Sequence, residues 1–165
     1  MNKVLVFVLV LCALAGVASQ GEAQVIATRT RTASTVVPPG ACPPNCPFVA
    51  LNNAGSVSMN FVTIQDNQRV VIAYNAECTV NSPGQETFMA IRIFVDGVQA
   101  PPSSSDKAFC TSDDGGGHWV SAVTMAVMNI AEPGIHAVRV RADLLGEVEG
   151  TVDGVLDDST IIIQK

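Results

Sequence analysis

Two histidines, His118 and His136, are the only histidine bases this 165-residue chain offers. A nucleophilic triad needs a nucleophile, a base and an acid that orients the base. His118 follows Asp113-Asp114-Gly115-Gly116-Gly117 and precedes Trp119. Paired with Asp113 or Asp114, it is the candidate base of a small secreted hydrolase. His136 alternates with Val138 and Val140, so it reads as an inward-facing structural histidine with a satisfied hydrogen bond. The chain has no Gly-x-Ser-x-Gly elbow, phosphate loop, dinucleotide fingerprint or His-Glu-x-x-His pair. The expectation is a protein that is not an enzyme.

The carboxylates suggest a second chemistry. Asp143, Glu147, Glu149, Asp153, Asp157 and Asp158 run without a basic residue among them. Calcium takes six to eight oxygens from a converging loop. No Asp-x-Asp-x-Asp-Gly loop is present, and Glu147, Glu149 and Asp153 alternate as a solvated strand face does. Asp113-Asp114 and Asp157-Asp158 are the better calcium candidates, read as loop residues at one end of a sandwich. A third chemistry is glycan binding, whose sign is an exposed aromatic platform. The chain has one Trp and one Tyr. Tyr74 lies in a core-facing row, and Trp119 leads a row with Val123 and Met125, which places it in the core too. Polar, glycine-flanked neighbours make Trp119 the better platform of the two. Asp113, Asp114, His118 and Trp119 together form the candidate ligand-binding surface. Glycine there lets the backbone approach a ligand closely, and loops on a rigid scaffold are where binding concentrates.

Four cysteines follow the leader: Cys42, Cys46, Cys78 and Cys110. An even number in an exported chain predicts two disulfides, with three connectivities possible. Cys78 closes the apolar face of one strand, and Cys110 follows Phe109 at a strand or loop edge. Their bond would close 33 residues, worth about 3.7 kcal/mol in the loop-entropy picture. Cys42 and Cys46 are then left to each other. Zinc is disfavoured, because structural sites use short paired spacings and the chain has one such pair.

Residues 1–19 read as a secretory signal peptide. Lys3 supplies the positive start, Val4 to Val17 the apolar run, and Gly16, Ala18 and Ser19 the small residues, with Ala23 as a later cleavage site. The run is shorter than the roughly 20 residues that span a bilayer, so no membrane span is expected after cleavage. Residues 24–47 read as a Thr- and Pro-rich linker, with five prolines in residues 38–47. Residues 48–165 form the folded domain. There the hydrophobic period is two: Met59 and Phe61; Val70, Ile72, Tyr74, Ala76 and Cys78; Met89, Ile91, Ile93 and Val95; Trp119, Val123, Met125 and Val127; His136, Val138 and Val140; then Ile161 to Ile163. Asp96-Gly97 between Val95 and Val98 is a hairpin signal. About eight strands and no amphipathic helical period predict an all-β, antiparallel sandwich of jelly-roll type.

Net charge is −6 with 48% hydrophobic and 15% charged residues. This excludes a nucleic-acid binder, which needs a basic face, and an intrinsically disordered chain.

The segments Tyr74-Asn75-Ala76-Glu77-Cys78, Ile93-Phe94-Val95-Asp96-Gly97, Phe109-Cys110-Thr111-Ser112, His118-Trp119-Val120, Pro133-Gly134-Ile135-His136 through Arg141, and Leu156-Asp157-Asp158-Ser159-Thr160-Ile161 carry a resemblance. Over about residues 56–165 the chain resembles a group of uncharacterised secreted bacterial β-sandwich proteins. More loosely, it is similar to jelly-roll domains of the C1q and tumour-necrosis-factor type. The resemblance implies non-catalytic binding through loops and often a trimer, but this chain has few of the aromatics that line such an axis and no collagen-like stalk. The expected protein is therefore a secreted, extracellular or periplasmic binding or surface-interaction module. Its partner is a protein or a glycan, with homo-oligomers possible. The alternatives are a calcium-dependent glycan binder and the His118 hydrolase.

Overall fold

A computed structural model describes residues 23–38, 47–82, 87–105, 107–112, 118–146 and 152–165. They form ten strands: β1 Val25–Arg31, β2 Thr35–Val37, β3 Met59–Thr63, β4 Gln68–Asn81, β5 Thr87–Val95, β6 Val98–Gln99, β7 Ala108–Thr111, β8 Val120–Ile130, β9 Gly134–Gly146 and β10 Asp153–Gln164. All pairings are antiparallel. One sheet, here sheet A, runs β1-β10-β4-β8, with β2 also on β10. Sheet B runs β3-β9-β5-β6, with β7 also on β5. Counting β1 with β2 and β6 with β7 as interrupted strands leaves eight positions. The chain passes back and forth between the sheets, as a jelly-roll sandwich requires.

The alternation found in the sequence builds the core. Val70, Ile72, Tyr74, Ala76 and Cys78 of β4 and Met89, Ile91, Ile93 and Val95 of β5 are all buried, as are Val138 and Val140 of β9 and Ile161 and Ile163 of β10. Burial pushes the Tyr74 phenol up to about 12, against weaker opposite pulls from the Ser159 hydroxyl and the Arg31 charge, so it stays neutral in the core. Asp96 and Gly97 both take positive φ, 50° and 86°. That is the two-residue turn whose twist matches the strands it joins, and Val95 pairs with Val98 across it. Cys78 and Cys110 are bonded, with Cα atoms 6.3 Å apart. The bond ties β4 of sheet A to β7 of sheet B.

Three expectations need correction. The stretch 24–47 is not all linker, because β1 and β2 lie within it and pair with β10. Val25, Ile26, Thr28 and Thr30, then Thr35, Val36 and Val37, are β-branched residues that fit a pleated surface. The first proline comes only at Pro38, so nothing forbids the ladder. Second, β8 presents the opposite face from the one expected. Ala126 and Ile130 are buried, while Val123 and Met125 are 64% and 57% exposed. Ala122, Thr124 and Ala126 stand opposite Ala76, Tyr74 and Ile72, where the large β4 side chains already fill the core and leave room for small partners. Third, Asp157 and Asp158 are not in a loop. They lie inside β10, at a register shift between Asp157 and Thr160, with Asp158 at φ 40°. A bulge of this kind accommodates an extra residue and re-aims side chains. Cys42, Cys46, Asp113, Asp114 and the leader lie outside the described residues.

Candidate functional site

His118 and Trp119 lead directly into β8, and both are exposed. Trp119 is 51% exposed. It shares the parity of Ser121, Val123 and Met125, so the β8 register that sends Ala126 inward sends Trp119 out. The tryptophan expected in the core is a surface residue. The cause is visible in the sequence only afterwards: both faces of residues 119–127 carry apolar side chains, and alternation cannot rank two apolar faces.

Asp157 and Asp158 do not gather a metal set. Asp157 stands opposite Glu77 on β4, and its Oδ1 accepts the Asp158 N–H at 3.0 Å. Among the described residues no three His, Cys, Asp or Glu side chains converge on a point that could hold a metal ion. A small hollow of about 180 Å³ lies beside them, lined by Asn75, Glu77, Ser121 and Asp158 among others.

The second histidine belongs to a cluster that sequence reasoning did not assemble. Asp96 Oδ2 lies 2.7 Å from His136 Nδ1, and Asp96 Oδ1 accepts the Ala137 N–H at 2.8 Å. On the other side of the ring, Nε2 is 3.0 Å from Thr63 Oγ1 and 3.2 Å from the Glu132 carbonyl oxygen. Partial burial pushes the Asp96 carboxyl up, but the Ala137 N–H and the His136 side chain outweigh it and hold the group below the usual carboxylate range. Acid, imidazole and hydroxyl are connected as in a triad, yet the hydroxyl cannot do a nucleophile's work. Thr63 is 2% exposed, and its Oγ1 also donates to the Glu132 carbonyl oxygen at 3.2 Å. A substrate carbonyl would have to come within about 3–3.5 Å of that oxygen. The cluster is a clamp joining the β5–β6 turn, the end of β3 and the start of β9. The Asp96-Gly97 turn and the inward parity of His136 were both legible, but not that the turn's side chain folds back onto the ring.

A further group lies on the outer face of sheet B. Arg92 donates from Nε and Nη2 to the two carboxylate oxygens of Asp143, each at 2.7 Å. Arg141 stacks over Phe48 at 4.6 Å and Phe94 at 5.3 Å from the ring centroids, and Arg139 over Phe48 at 5.2 Å. Arginine over an aromatic face covers apolar surface while keeping its charge wet.

No protein-family model matches the chain, and no curated protein does. Solved structures that share part of its shape include the VP2 subviral particle of infectious bursal disease virus, at 13% identity and a TM-score of 0.49 over 87% of this chain. This chain spans 33% of that one. A lipoprotein from Bacteroides thetaiotaomicron matches at 8% identity and a TM-score of 0.36, covering 87% of this chain and 88% of that one. The CBM35 of Paenibacillus barcinonensis matches at 15% identity and a TM-score of 0.32, covering 86% and 98%.

Proposed function

We propose that this chain is an exported, non-catalytic binding module that engages its ligand through Trp119 and His118, where the chain enters β8. The observation that carries the reading is the half-exposed indole at the rim of a disulfide-tied sandwich. Leaving so large an apolar ring in water costs free energy in the isolated molecule. Tryptophan anchors also dominate many interfaces, because they bury a large area with few rotors to freeze. Rigid strands on one side hold the ring in place without prior ordering, which lowers the cost of binding. Export is supported by the signal-like residues 1–19 and by the Cys78–Cys110 bond, which persists in oxidising compartments. Among the described residues no helix is long and apolar enough to cross a membrane. The buried Thr63 hydroxyl supports the non-catalytic part.

The test is a panel of glycans and extracellular proteins presented to the purified chain, with calcium and with chelator, using wild type, Trp119→Phe and Trp119→Ala. Binding that survives in Trp119→Phe and falls at least tenfold in Trp119→Ala supports the reading. Binding indifferent to Trp119, or turnover of a substrate that requires His118, overturns it. Binding lost with chelator would move the ligand set to calcium.

A further inference from the structure

The outer face of sheet A carries a charge pattern that its own copy would complete. Along β4 the outward residues are Arg69, Val71, Ala73, Asn75 and Glu77. Ala73 stands at the centre, four residues from a cation on one side and four from an anion on the other. The register sets neighbours beside each row. Val71 lies between Gln164 and Val127, Ala73 between Ile162 and Met125, and Asn75 between Thr160 and Val123. Thr28 and Thr30 extend the last two rows on β1, opposite Ile162 and Thr160. These three rows hold no charged residue. Beyond them, Glu77 sits between Asp157 and Ser121, and Arg69 beside Asn129. The face is thus an uncharged patch with three acids along one border, Glu77, Asp157 and the bulge residue Asp158, and an arginine on the other. Val123 and Met125 are its most exposed apolar side chains.

We infer that this face docks on the same face of a second copy of the chain, about a two-fold axis that passes over Ala73 perpendicular to the strands. Rotation about that axis reverses the strand direction. Arg69 of each copy then lies over Glu77 and Asp157 of the other, and the uncharged rows lie over uncharged rows. A two-fold axis along the strands would instead set acids on acids, so the charges choose between the two arrangements. Stacked sheets lie about 10 Å apart, a gap that long Arg and Glu side chains bridge from both sides. Ala73 at the axis is small, so Ile162 and Met125 on either side of it can meet their counterparts across the gap. The chain's net charge of −6 opposes association of copies in general, which makes an uncharged centre with opposite-sign borders the surface on which they can meet. The size is adequate. Eight residues of β4 at about 3.4 Å each, across four strands about 4.8 Å apart, make a face of roughly 500 Å². Two copies hide about 1,000 Å², where specific interfaces begin. Trp119 stands on the same face one row beyond Glu77, outside the uncharged rows, so the two readings share the β8 orientation but use different residues.

Sedimentation equilibrium of the chain recovered from an exporting host, from about 1 μM to 1 mM, tests it. The expected result is a monomer–dimer equilibrium that weakens with salt. Arg69→Glu and Glu77→Arg should each weaken it by about tenfold or more, since symmetry repeats every clash twice. The double variant Arg69→Glu/Glu77→Arg should recover most of the loss, and Met125→Glu should abolish dimers. All these side chains are exposed, and melting temperatures taken at the dilute end, where the wild type is monomeric, will show that each variant is folded. A monomer throughout the range overturns the inference, and so do charge reversals that leave the equilibrium unmoved or fail to compensate each other.

Discussion

Asp96 and His136 lie 40 residues apart in sequence and 2.7 Å apart in space, and the contact joins the tip of one hairpin to the start of another strand. The same carboxylate also takes the Ala137 N–H. Its pKa is below the usual range, so the folded state prefers the ionised group. A group with a lowered folded pKa adds stability above its unfolded value, near 4, and loses it as pH falls through the folded value. Because the Asp96 side chain is 50% exposed, solvent screens the effect to about 1 kcal/mol or less. Asp96→Asn keeps a residue that tolerates the positive φ of this turn. It should cost that amount at pH 7 and progressively less as the pH falls below the usual carboxylate range. Urea titrations across pH give the answer, and a cost that stays constant down to pH 2 would show that the carboxylate charge is not involved.

Cys78→Ala should lower stability by about 2–5 kcal/mol, because the bond spans 32 positions in sequence and ties the two sheets. Mass analysis of the unreduced, unfolded wild type after alkylation should find no label at Cys78 or Cys110. Label at either would refute the pairing.

Gly154→Ala should destabilise by about 1–3 kcal/mol through overpacking. A Cβ on Gly154 would come within 2.5 Å of the Met89 methyl and 3.0 Å of a Leu144 methyl, in the core under β10. The clash is with the Met89 methyl, so Gly154→Ala should cost less on a Met89→Ala background than in the wild type. Equal melting temperatures for Gly154→Ala and wild type would mean that this part of the core is looser than its contacts.

Most of the sandwich was legible because one face of each strand is apolar and the other is not. β4, β5 and β9 keep a largely apolar row on one side and interrupt the other with Arg69, Asn75 and Glu77, with Arg92, or with Arg139 and Arg141, and such strands declare their inward side. β8 does not, since Ala122, Thr124 and Ala126 are as compatible with a core as Val123 and Met125. Its orientation was decided by the size of Tyr74 and Ile72 across the ladder, a tertiary fact. β1 and β2 were hidden for a related reason. Their threonines suit a linker as well as an edge strand, and the proline run after them drew the boundary too late. Asp157-Asp158 looked like a turn, but a bulge tolerates the same residues. At the candidate site, the gathering of His118 and Trp119 could be read from their adjacency, whereas the side to which the indole points could not.

Trp119→Ala provides the sharpest separation between a core residue and a contact residue. A core tryptophan truncated to alanine costs about 3–5 kcal/mol. An indole half in water should cost well below that, about 1–2 kcal/mol, because much of its apolar area is never buried. The neighbouring Ala126→Leu reverses the logic, because Ala126 is fully buried opposite Ile72 and extra methylenes there should cost about 1–3 kcal/mol. Thermal unfolding of the two variants side by side checks the orientation of β8 directly. A large loss for Trp119→Ala together with a tolerated Ala126→Leu would turn the strand over, returning the indole to the core and taking with it the exposed surface on which binding is proposed.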